Sequence, residues 1–291
     1  MKLSVVVLPC ARWRDAQNNW RQADDWGLHA GYTYDHLSWR TFRDKPWFSM
    51  VPTLVAAATV TSRLRLGPLV TSPNFRHPLV LAKDLIALDD VSSGRLTVGV
   101  GAGGTGFDSS VLGGEPWSTS QRHQHFSEFV RALDQLLREP QSNLAGPLYP
   151  VVDSRQIPGP VQSPRPPLYL SALGPRSLAL TAALADGWIS FGNPSPLARE
   201  STFDSVRAQI TTLDDQLELR ERSTSSLHRV FLDFSEDEQP LTSFEAFLDW
   251  AGRYGELGFN EVVLHWPVAD SPYDYNRELF ERICIEGAQR I

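Results

Sequence analysis

Short apolar segments alternate with longer amphipathic segments along the chain, and this alternation limits the folds open to it. The apolar segments predict strands at residues 3–8, 31–37, 64–70, 95–100, 168–173, 188–191, 229–234 and 261–265. The segments between them predict helices at residues 14–26, 47–61, 77–91, 118–137, 175–185, 198–222, 244–258 and 275–289.

Eight strand–helix units predict a parallel sheet, because a helical crossover returns the chain to the same end of the sheet. Eight units suit closure into an α/β fold of the (β/α)₈ TIM-barrel type. An open doubly wound sheet is the alternative, and the count and the length of 291 residues favour the barrel. We expect a single domain over residues 1–291, with loop insertions at about 104–118 and at the proline-rich segment 139–166.

Charge and hydropathy exclude some classes of partner. The formal net charge is −7 and no run of Lys or Arg is present, so nucleic-acid binding is not expected. No segment reaches the roughly 18 apolar residues that a membrane helix needs. The apolar N-terminus is short for a signal peptide and predicts a buried strand instead, so we expect a cytoplasmic protein with no membrane partner. Cys10 and Cys284 are expected to be buried free thiols, with a bridge between them as the alternative if the two ends of the chain meet.

The residues that follow each strand are the site candidates, because (β/α)₈ barrels place their sites at the C-terminal strand ends. Here these residues are rich in glycine and aromatic side chains and include one Asp–His pair, Asp35 and His36. Glycosidases use two carboxylates that face each other across the substrate. No obvious pair of carboxylates follows the strands, so glycosidase activity is not indicated. Asp35, His36 and His265 support a metal only weakly, so none is predicted. Because glycine lets a flat ligand approach the backbone, an aromatic cofactor fits better.

Two glycine-containing segments are candidates for contacting such a cofactor. Residues 101–106 match GxGxxG, but no helix opens directly after them, so we interpret them as a flexible loop near a ligand. The segment 174–177 starts a helix directly after the fifth predicted strand, with Pro175 in its first turn. Free N–H groups there, with Arg176 and Ser177, predict a phosphate site. A plain helix cap with a solvated Arg is the alternative.

Five collinear segments carry a family likeness. They are residues 33–37 (TYDHL), 63–67 (RLRLG), 72–78 (SPNFRHP), 94–103 (GRLTVGVGAG) and 172–177 (ALGPRS). From about residue 3 to about residue 192 the chain resembles the bacterial luciferase-like monooxygenase superfamily. It is most similar to the short members that use the deazaflavin coenzyme F420. The resemblance implies a (β/α)₈ barrel whose mouth holds a flavin or deazaflavin ring.

The resemblance also implies which residues hold the cofactor. A non-proline cis peptide is typical of the end of the third strand in this superfamily, and motif alignment places it at Leu69–Val70. The cofactor phosphate would sit on the start of the helix that follows the fifth strand. The implied cofactor-binding residues are Leu69, Val70, Thr71, Gly101, Ala102, Gly103, Ser171, Ala172, Gly174, Pro175, Arg176 and Ser177.

Asp35 and His36 match the Asp–His pair of the deazaflavin enzymes. The resemblance therefore implies that His36 donates or accepts a proton and that Asp35 positions it. In the sugar-phosphate dehydrogenase branch a catalytic Glu follows the glycine motif, and this chain has Gly104 there, so glucose 6-phosphate oxidation is not expected. The substrate pocket is expected to be walled by aromatic residues near strand ends: Trp39, Phe107, Trp188 and Trp266.

Three functions follow from the resemblance. The first is an F420-dependent oxidoreductase that transfers a hydride between the deazaflavin and a small organic substrate. The second is an FMN-dependent luciferase-like monooxygenase that uses O₂ and reduced flavin from a separate reductase. The third is a non-catalytic flavin-binding barrel. We also expect a homodimer; Trp47, Met50 and Leu54 are candidates for its interface, with core packing as the alternative.

Overall fold

The computed structural model describes residues 1–192, 200–234 and 238–291. Its strands are β1 (Lys2–Val6), β2 (Ala30–Thr33), β3 (Arg65–Pro68), β4 (Val98–Gly101), β5 (Gln141–Leu144), β6 (Val151–Arg155), β7 (Leu168–Ser171), β8 (Gly187–Ser190), β9 (His228–Leu232) and β10 (Glu261–His265). Its α-helices are α1 (Trp13–Asp25), α2 (Met50–Val60), α3 (Pro78–Val91), α4 (Thr119–Arg138), α5 (Pro175–Leu184), α6 (Thr202–Glu218), α7 (Phe244–Glu256) and α8 (Arg277–Ile285).

Eight parallel strands with intervening helices confirm the predicted (β/α)₈ barrel. Two predicted elements differ in detail. The proline-rich segment 139–166 was expected to be a loop and instead contains β5 and β6, which pair as an antiparallel hairpin. The predicted start of the sixth helix, residue 198, lies outside the described residues, and α6 is described from Thr202.

The barrel closes between β3 and β4, which stand at the two ends of the strand order β3-β2-β1-β10-β9-β8-β7-β4. Two parallel bridges cross this seam: Leu66 pairs with Leu96, and Thr71 pairs with Val100. Between them, a Cβ on Gly67 would lie 1.8 Å from the carbonyl oxygen of Thr97. Real Cβ atoms do not come so close to a backbone oxygen, so the seam requires glycine at position 67.

Side chains that alternate along the strands build two apolar layers. The inner layer fills the barrel and includes Val6, Tyr32, Leu69, Ile189 and Val263. The outer layer lies between strands and helices, where α4 buries Phe126, Phe129, Val130, Leu133, Leu136 and Leu137, as its periodicity predicts. Met50 and Leu54 are buried in this outer layer as well, so core packing, not a dimer interface, explains them.

The two cysteines were expected to be buried free thiols. Cys10 and Cys284 are both free; Cys284 is buried as expected, whereas Cys10 is only partly buried. Burial raises the pKa of both thiols.

None of the helices in the described part of the chain is long and apolar enough to cross a bilayer.

Candidate active site at the barrel mouth

A cavity of about 1020 Å³ opens at the C-terminal ends of the barrel strands. Segments that follow β2, β3, β4, β7, β8 and β9 form its wall, together with the N-terminal part of α4 and the first turn of α5. Most of the wall is apolar side chain and glycine backbone, and its polar groups include His36 on one side and the start of α5 on another. This volume is at the upper end for ligand sites in proteins and suits a cofactor together with a small substrate.

His36 follows β2 and is held at the cavity wall on three sides. Its Nδ1 lies 2.5 Å from Oδ2 of Asp108. Its ring stacks on Trp39 with a centroid distance of 4.3 Å, and its carbonyl oxygen accepts the indole N–H of Trp47 at 2.8 Å. Nε2 of His36 has no hydrogen-bond partner among the residues that the structure describes. When Nδ1 donates its proton to Asp108, Nε2 carries the lone pair that can take up a second proton.

Asp108 is the functional residue that sequence reasoning missed. It lies in a short 3₁₀ turn, Phe107–Ser109, within the long loop that follows β4. Its side chain is 5% exposed, and Oδ1 accepts the backbone N–H groups of Leu37 and Ser38 at 2.8 and 3.4 Å. Asp108 therefore fixes both the imidazole of His36 and the loop that carries it. No motif marks this residue; the available signal is a carboxylate in a long loop at the C-terminal end of a barrel strand.

Asp35 does not position His36, contrary to the expectation from the family likeness. Its carboxylate accepts the hydroxyl of Thr71 at 2.7 Å, and its two oxygens accept Nη2 and Nε of Arg76, on one edge of the guanidinium, at 2.7 and 3.0 Å. Asp35 is buried and does not line the cavity. Adjacent residues of an extended chain point in opposite directions, so Asp35 ties the end of β2 to the segment after β3 while His36 faces the cavity.

The segment after β3 and the end of β4 supply a close backbone wall. The peptide Leu69–Val70 is cis, as the family likeness implies. A Cβ on Gly101 would lie 2.6 Å from Cγ2 of Val70, so a larger residue at position 101 would clash with Val70. Six of the expected cofactor-binding residues line this part of the cavity: Leu69, Val70, Gly101, Ala102, Gly103 and Ser171.

Two residues that were expected to bind the cofactor, Thr71 and Ala172, do not line the cavity. Thr71 is fully buried and turns its hydroxyl to Asp35. Ala172 is buried, and its carbonyl oxygen accepts the indole N–H of Trp188 at 2.8 Å. Neither residue lines the cavity, because each lies next to a lining residue on an extended segment and points the other way.

The start of α5 borders the cavity as predicted. Gly174, the N-cap residue, offers no side chain to the first turn, and Pro175 has no N–H. The N–H groups of Arg176 and Ser177 are therefore left without intrahelical partners at the positive end of the helix. Among the described residues, apart from its chain neighbours, no atom lies within 4 Å of a Cβ built on Gly174, so there is open space beside the start of the helix. His123 of α4 also lines the cavity, and burial together with the charge of Arg176 lowers its pKa.

Aromatic side chains cover the opposite part of the cavity. Trp39 and Phe107 line it as expected, and Phe191 and Phe234 join them. The guanidinium of Arg40 lies over the rings of Trp39 and Phe234, at 4.8 and 4.5 Å from their centroids. This side of the cavity is therefore apolar with a cation at its edge.

Trp188 and Trp266 were expected to line the substrate pocket, and this is wrong. Both are buried in the outer layer between strands and helices. Trp188 stacks on Phe259 and Trp266 on Trp26, at 5.5 and 5.3 Å between ring centroids. The neighbouring Ile189 is the residue that lines the cavity, as strand alternation requires.

A buried polar cluster lies beside the cavity near the ends of β9 and β10. Nε2 of His265 is 2.7 Å from the hydroxyl of Tyr34, and His265 is fully buried. Burial lowers the pKa of His265 to about 3. Burial, together with the charge of Glu238, raises the pKa of Asp233 to about 8. His265 therefore faces Tyr34 instead of the mouth, and it does not meet Asp35 and His36 in a metal site.

Comparisons with known proteins agree with this architecture. The model of the luciferase-like monooxygenase family matches residues 1–231. The F420-dependent glucose-6-phosphate dehydrogenase of Amycolatopsis mediterranei is 29% identical over 270 residues, which cover 86% of this chain and 79% of that protein. The oxygenase component of the flavin-dependent trigonelline monooxygenase of Acinetobacter baylyi is 29% identical over 158 residues, 53% of this chain and 42% of that protein.

A solved structure of an F420-dependent secondary alcohol dehydrogenase, in complex with an F420-acetone adduct, superposes with a TM-score of 0.81. It is 16% identical and the match covers 98% of each chain, so it shows the fold. The chain spans about half the length of other curated relatives, 51% and 49% in two cases. The family match covers most of the sequence and the barrel has the geometry expected of it: the chain belongs to the luciferase-like monooxygenase family.

Proposed function

We propose that the protein is an F420-dependent oxidoreductase that moves a hydride between the deazaflavin and a small organic substrate. The observation that carries the proposal is the juxtaposition, in one cavity, of an Asp-held histidine and an open helix N-terminus. Relatives named as F420-dependent dehydrogenases support the deazaflavin as the cofactor.

The cavity fits such a cofactor by shape and by chemistry. The glycine backbone at β4 and the apolar residues after β3 offer a flat wall to a planar ring. The donors on Arg176 and Ser177 face open space that an anion can fill, as a phosphate would. The residues proposed to hold the cofactor are Leu69, Val70, Gly101, Ala102, Gly103, Ser171, Gly174, Pro175, Arg176 and Ser177.

When bound, a deazaflavin supplies the carbon that gives up or receives the hydride. The chain supplies orientation and the proton. Nε2 of His36 accepts a proton from a substrate hydroxyl, or returns one, while Asp108 holds Nδ1 and so keeps the ring in one orientation. Trp39, Phe107, Phe191 and Phe234 exclude water from the substrate side.

Titration with F420 tests the proposal. We expect saturable quenching of tryptophan fluorescence by F420, since Trp39 lines the cavity. Arg176→Ala should weaken F420 binding by about tenfold, or 1.4 kcal/mol, through loss of a charged donor. The matched control is Arg207→Ala, which removes an exposed Arg of α6. Absence of any response to F420 would refute the proposal, and equal effects of the two variants would mean that the guanidinium of Arg176 does not contact the cofactor.

An FMN-dependent monooxygenase is the second candidate, and the trigonelline monooxygenase relative favours it. It would need a separate reductase to supply reduced flavin. Oxygen consumption with reduced FMN separates the two candidates, because a 5-deazaflavin reacts poorly with O₂. Rapid consumption with FMN, and no hydride transfer to or from F420, would favour this second function.

The substrate proposed is a small organic molecule other than a sugar phosphate. Gly104 stands where the sugar-phosphate dehydrogenases resembled by this chain have a catalytic Glu. The nearby carboxylate of the same loop, Asp108, is already bound to His36. Comparing turnover of glucose 6-phosphate with that of small alcohols checks this, and faster turnover of the sugar phosphate would contradict it.

We further propose that the chain acts as a single domain, in the cytoplasm, and as a homodimer. Val80 and Val91 of α3 support an interface there, since both are exposed and apolar. Light scattering of the purified protein tests the dimer. Val80→Lys should shift the mass to that of a monomer, and an unchanged dimer would place the interface elsewhere.

A further inference from the structure

A second histidine–carboxylate cluster lies at the opposite end of the barrel from the cavity. His228 and Glu261 are the first residues of β9 and β10, and His29 directly precedes β2. All three are therefore at the N-terminal ends of strands, on the floor of the barrel. The proposed reaction at the mouth uses none of them.

The three side chains present their ligand atoms to one another. Nε2 of His228 is 2.8 Å from Oε2 of Glu261, and Nε2 of His29 is 3.8 Å from the same oxygen. One ligand atom from each of the three residues lies within 4.8 Å of the others. Tetrahedral ligands about 2.1 Å from a zinc ion are roughly 3.4 Å apart. The cluster thus approaches the required spacing with shifts of about an ångström.

Glu261 is already oriented as a metal ligand would be. Its other oxygen, Oε1, accepts the hydroxyl of Tyr32 at 3.0 Å, which leaves Oε2 directed at the two histidines. Such contacts to the far side of a ligand fix its orientation in metal sites. The histidine side chains are 23% and 19% exposed, so solvent reaches them from below, while Glu261 is fully buried.

The charge balance on the floor favours a cation. Among the described residues, no Lys or Arg forms an ion pair with the buried carboxylate of Glu261; its charged-pair contacts are to the two histidines. The nearby guanidinium of Arg65 is directed instead to Thr97, to the carbonyl oxygen of Leu96 and to Gln162, at 2.9, 2.6 and 3.4 Å. A divalent ion would add fixed positive charge beside a buried carboxylate whose charged-pair contacts among the described residues are the two histidines alone.

We propose that His29, His228 and Glu261 bind a divalent transition-metal ion of the zinc class, with water as the fourth ligand. Two imidazoles and one carboxylate suit zinc and cobalt, whereas magnesium and calcium prefer oxygen ligands alone. The ion would join β2, β9 and β10 at the floor and stabilise the barrel. It would take no part in the reaction at the mouth.

Cobalt and zinc titrations of the full-length, chelator-treated protein test the site. We expect one equivalent of Co²⁺ to give the visible absorption of a tetrahedral complex, and Zn²⁺ to displace it. Zn²⁺ should also raise the melting temperature, because it binds the folded state alone. Absence of both the cobalt spectrum and the zinc-induced thermal shift would overturn the proposal.

His29→Asn is the decisive variant, because His29 makes only the 3.8 Å contact and its replacement should leave the metal-free protein folded. We expect its affinity for Co²⁺ to fall by more than about tenfold. Mutation of a residue that only hydrogen-bonds to a metal ligand already causes a loss of that size, and His29 is a ligand itself. His77→Asn is the matched control: it removes an exposed imidazole at the start of α3, and Asn also caps helices. Equal cobalt affinity in His29→Asn and in the wild type would overturn the assignment.

Discussion

The mouth and the floor of this barrel each hold a histidine paired with a carboxylate, in different surroundings. At the mouth, His36 contacts Asp108 at 2.5 Å beside a cavity of about 1020 Å³. At the floor, His228 contacts Glu261 at 2.8 Å, and the carboxylate is fully buried. We expect the two pairs to differ in role with the end of the barrel on which they lie: proton transfer at the mouth, where loops leave space for a substrate, and stability at the floor, where the strands begin.

The largest expected effect is that of His36→Ala on turnover. Removing a positioned acid or base lowers kcat by about 10²–10⁴-fold, and the affinity for F420 should change little because the phosphate donors remain. Steady-state kinetics and fluorescence titration measure the two quantities. His228→Asn is the control at the floor, and its kcat should stay close to that of the wild type. If both variants lost activity equally, the distinction between mouth and floor would fail.

Glu261→Gln should reverse this pattern by lowering stability and sparing turnover. His228 and the buried Tyr32 then face a neutral amide, with one acceptor oxygen in place of two, instead of a carboxylate, which costs about 2 kcal/mol. The melting temperature should fall by roughly 4–8 °C, since 1 kcal/mol corresponds to about 2–4 °C in a chain of this size. Calorimetry measures the shift, with the exposed Glu218→Gln of α6 as the control. An unchanged melting temperature would mean that the floor pair contributes nothing to the fold.

Asp108→Asn should give a smaller loss of activity than His36→Ala. The amide can donate to Nδ1 and so favour the tautomer with its proton on Nε2, where the lone pair is needed. We expect kcat to fall by about tenfold. This is less than the loss expected for His36→Ala, because the imidazole is still present. The pH profile of kcat should shift as well, which a purely structural role would not cause. A wild-type pH profile would show that Asp108 only holds the loop.

Family motifs and local periodicity predicted which segments border the cavity. They did not predict which side chains from other loops would contact those segments. His36 and the start of α5 follow strands directly, so local sequence marks them. Asp108 reaches His36 from a loop 72 residues away, and no pattern in residues 104–118 fixes that loop's path. The side-chain direction of Trp188 was misread because barrel strands are apolar on both faces, which hides the alternation from the sequence.

The smallest effect concerns Asp233 beside the mouth. Its pKa of about 8 in the folded protein lies above the ordinary value, so the folded state holds an extra proton between about pH 4 and pH 8. The stability that this proton provides is complete at low pH and is lost as the pH rises through 8. Asp233→Asn, which cannot ionise, should therefore gain a few degrees in melting temperature relative to the wild type between pH 5 and pH 8.5.

Thermal melts over that pH range measure the effect of Asp233→Asn. Asp249→Asn, on the exposed side of α7, is the control and should run parallel to the wild type. A pH-independent difference for Asp233→Asn would mean that the carboxyl group is already ionised in the folded protein at pH 5.

A crystal structure of the protein with F420 tests the central claim most directly. The account predicts that the deazaflavin ring lies against Leu69–Val70 and Gly101 in the mouth. It also predicts that the cofactor phosphate accepts the N–H groups of Arg176 and Ser177, with His36 on the substrate side. A ring bound outside the mouth, or a phosphate away from the start of α5, would contradict it.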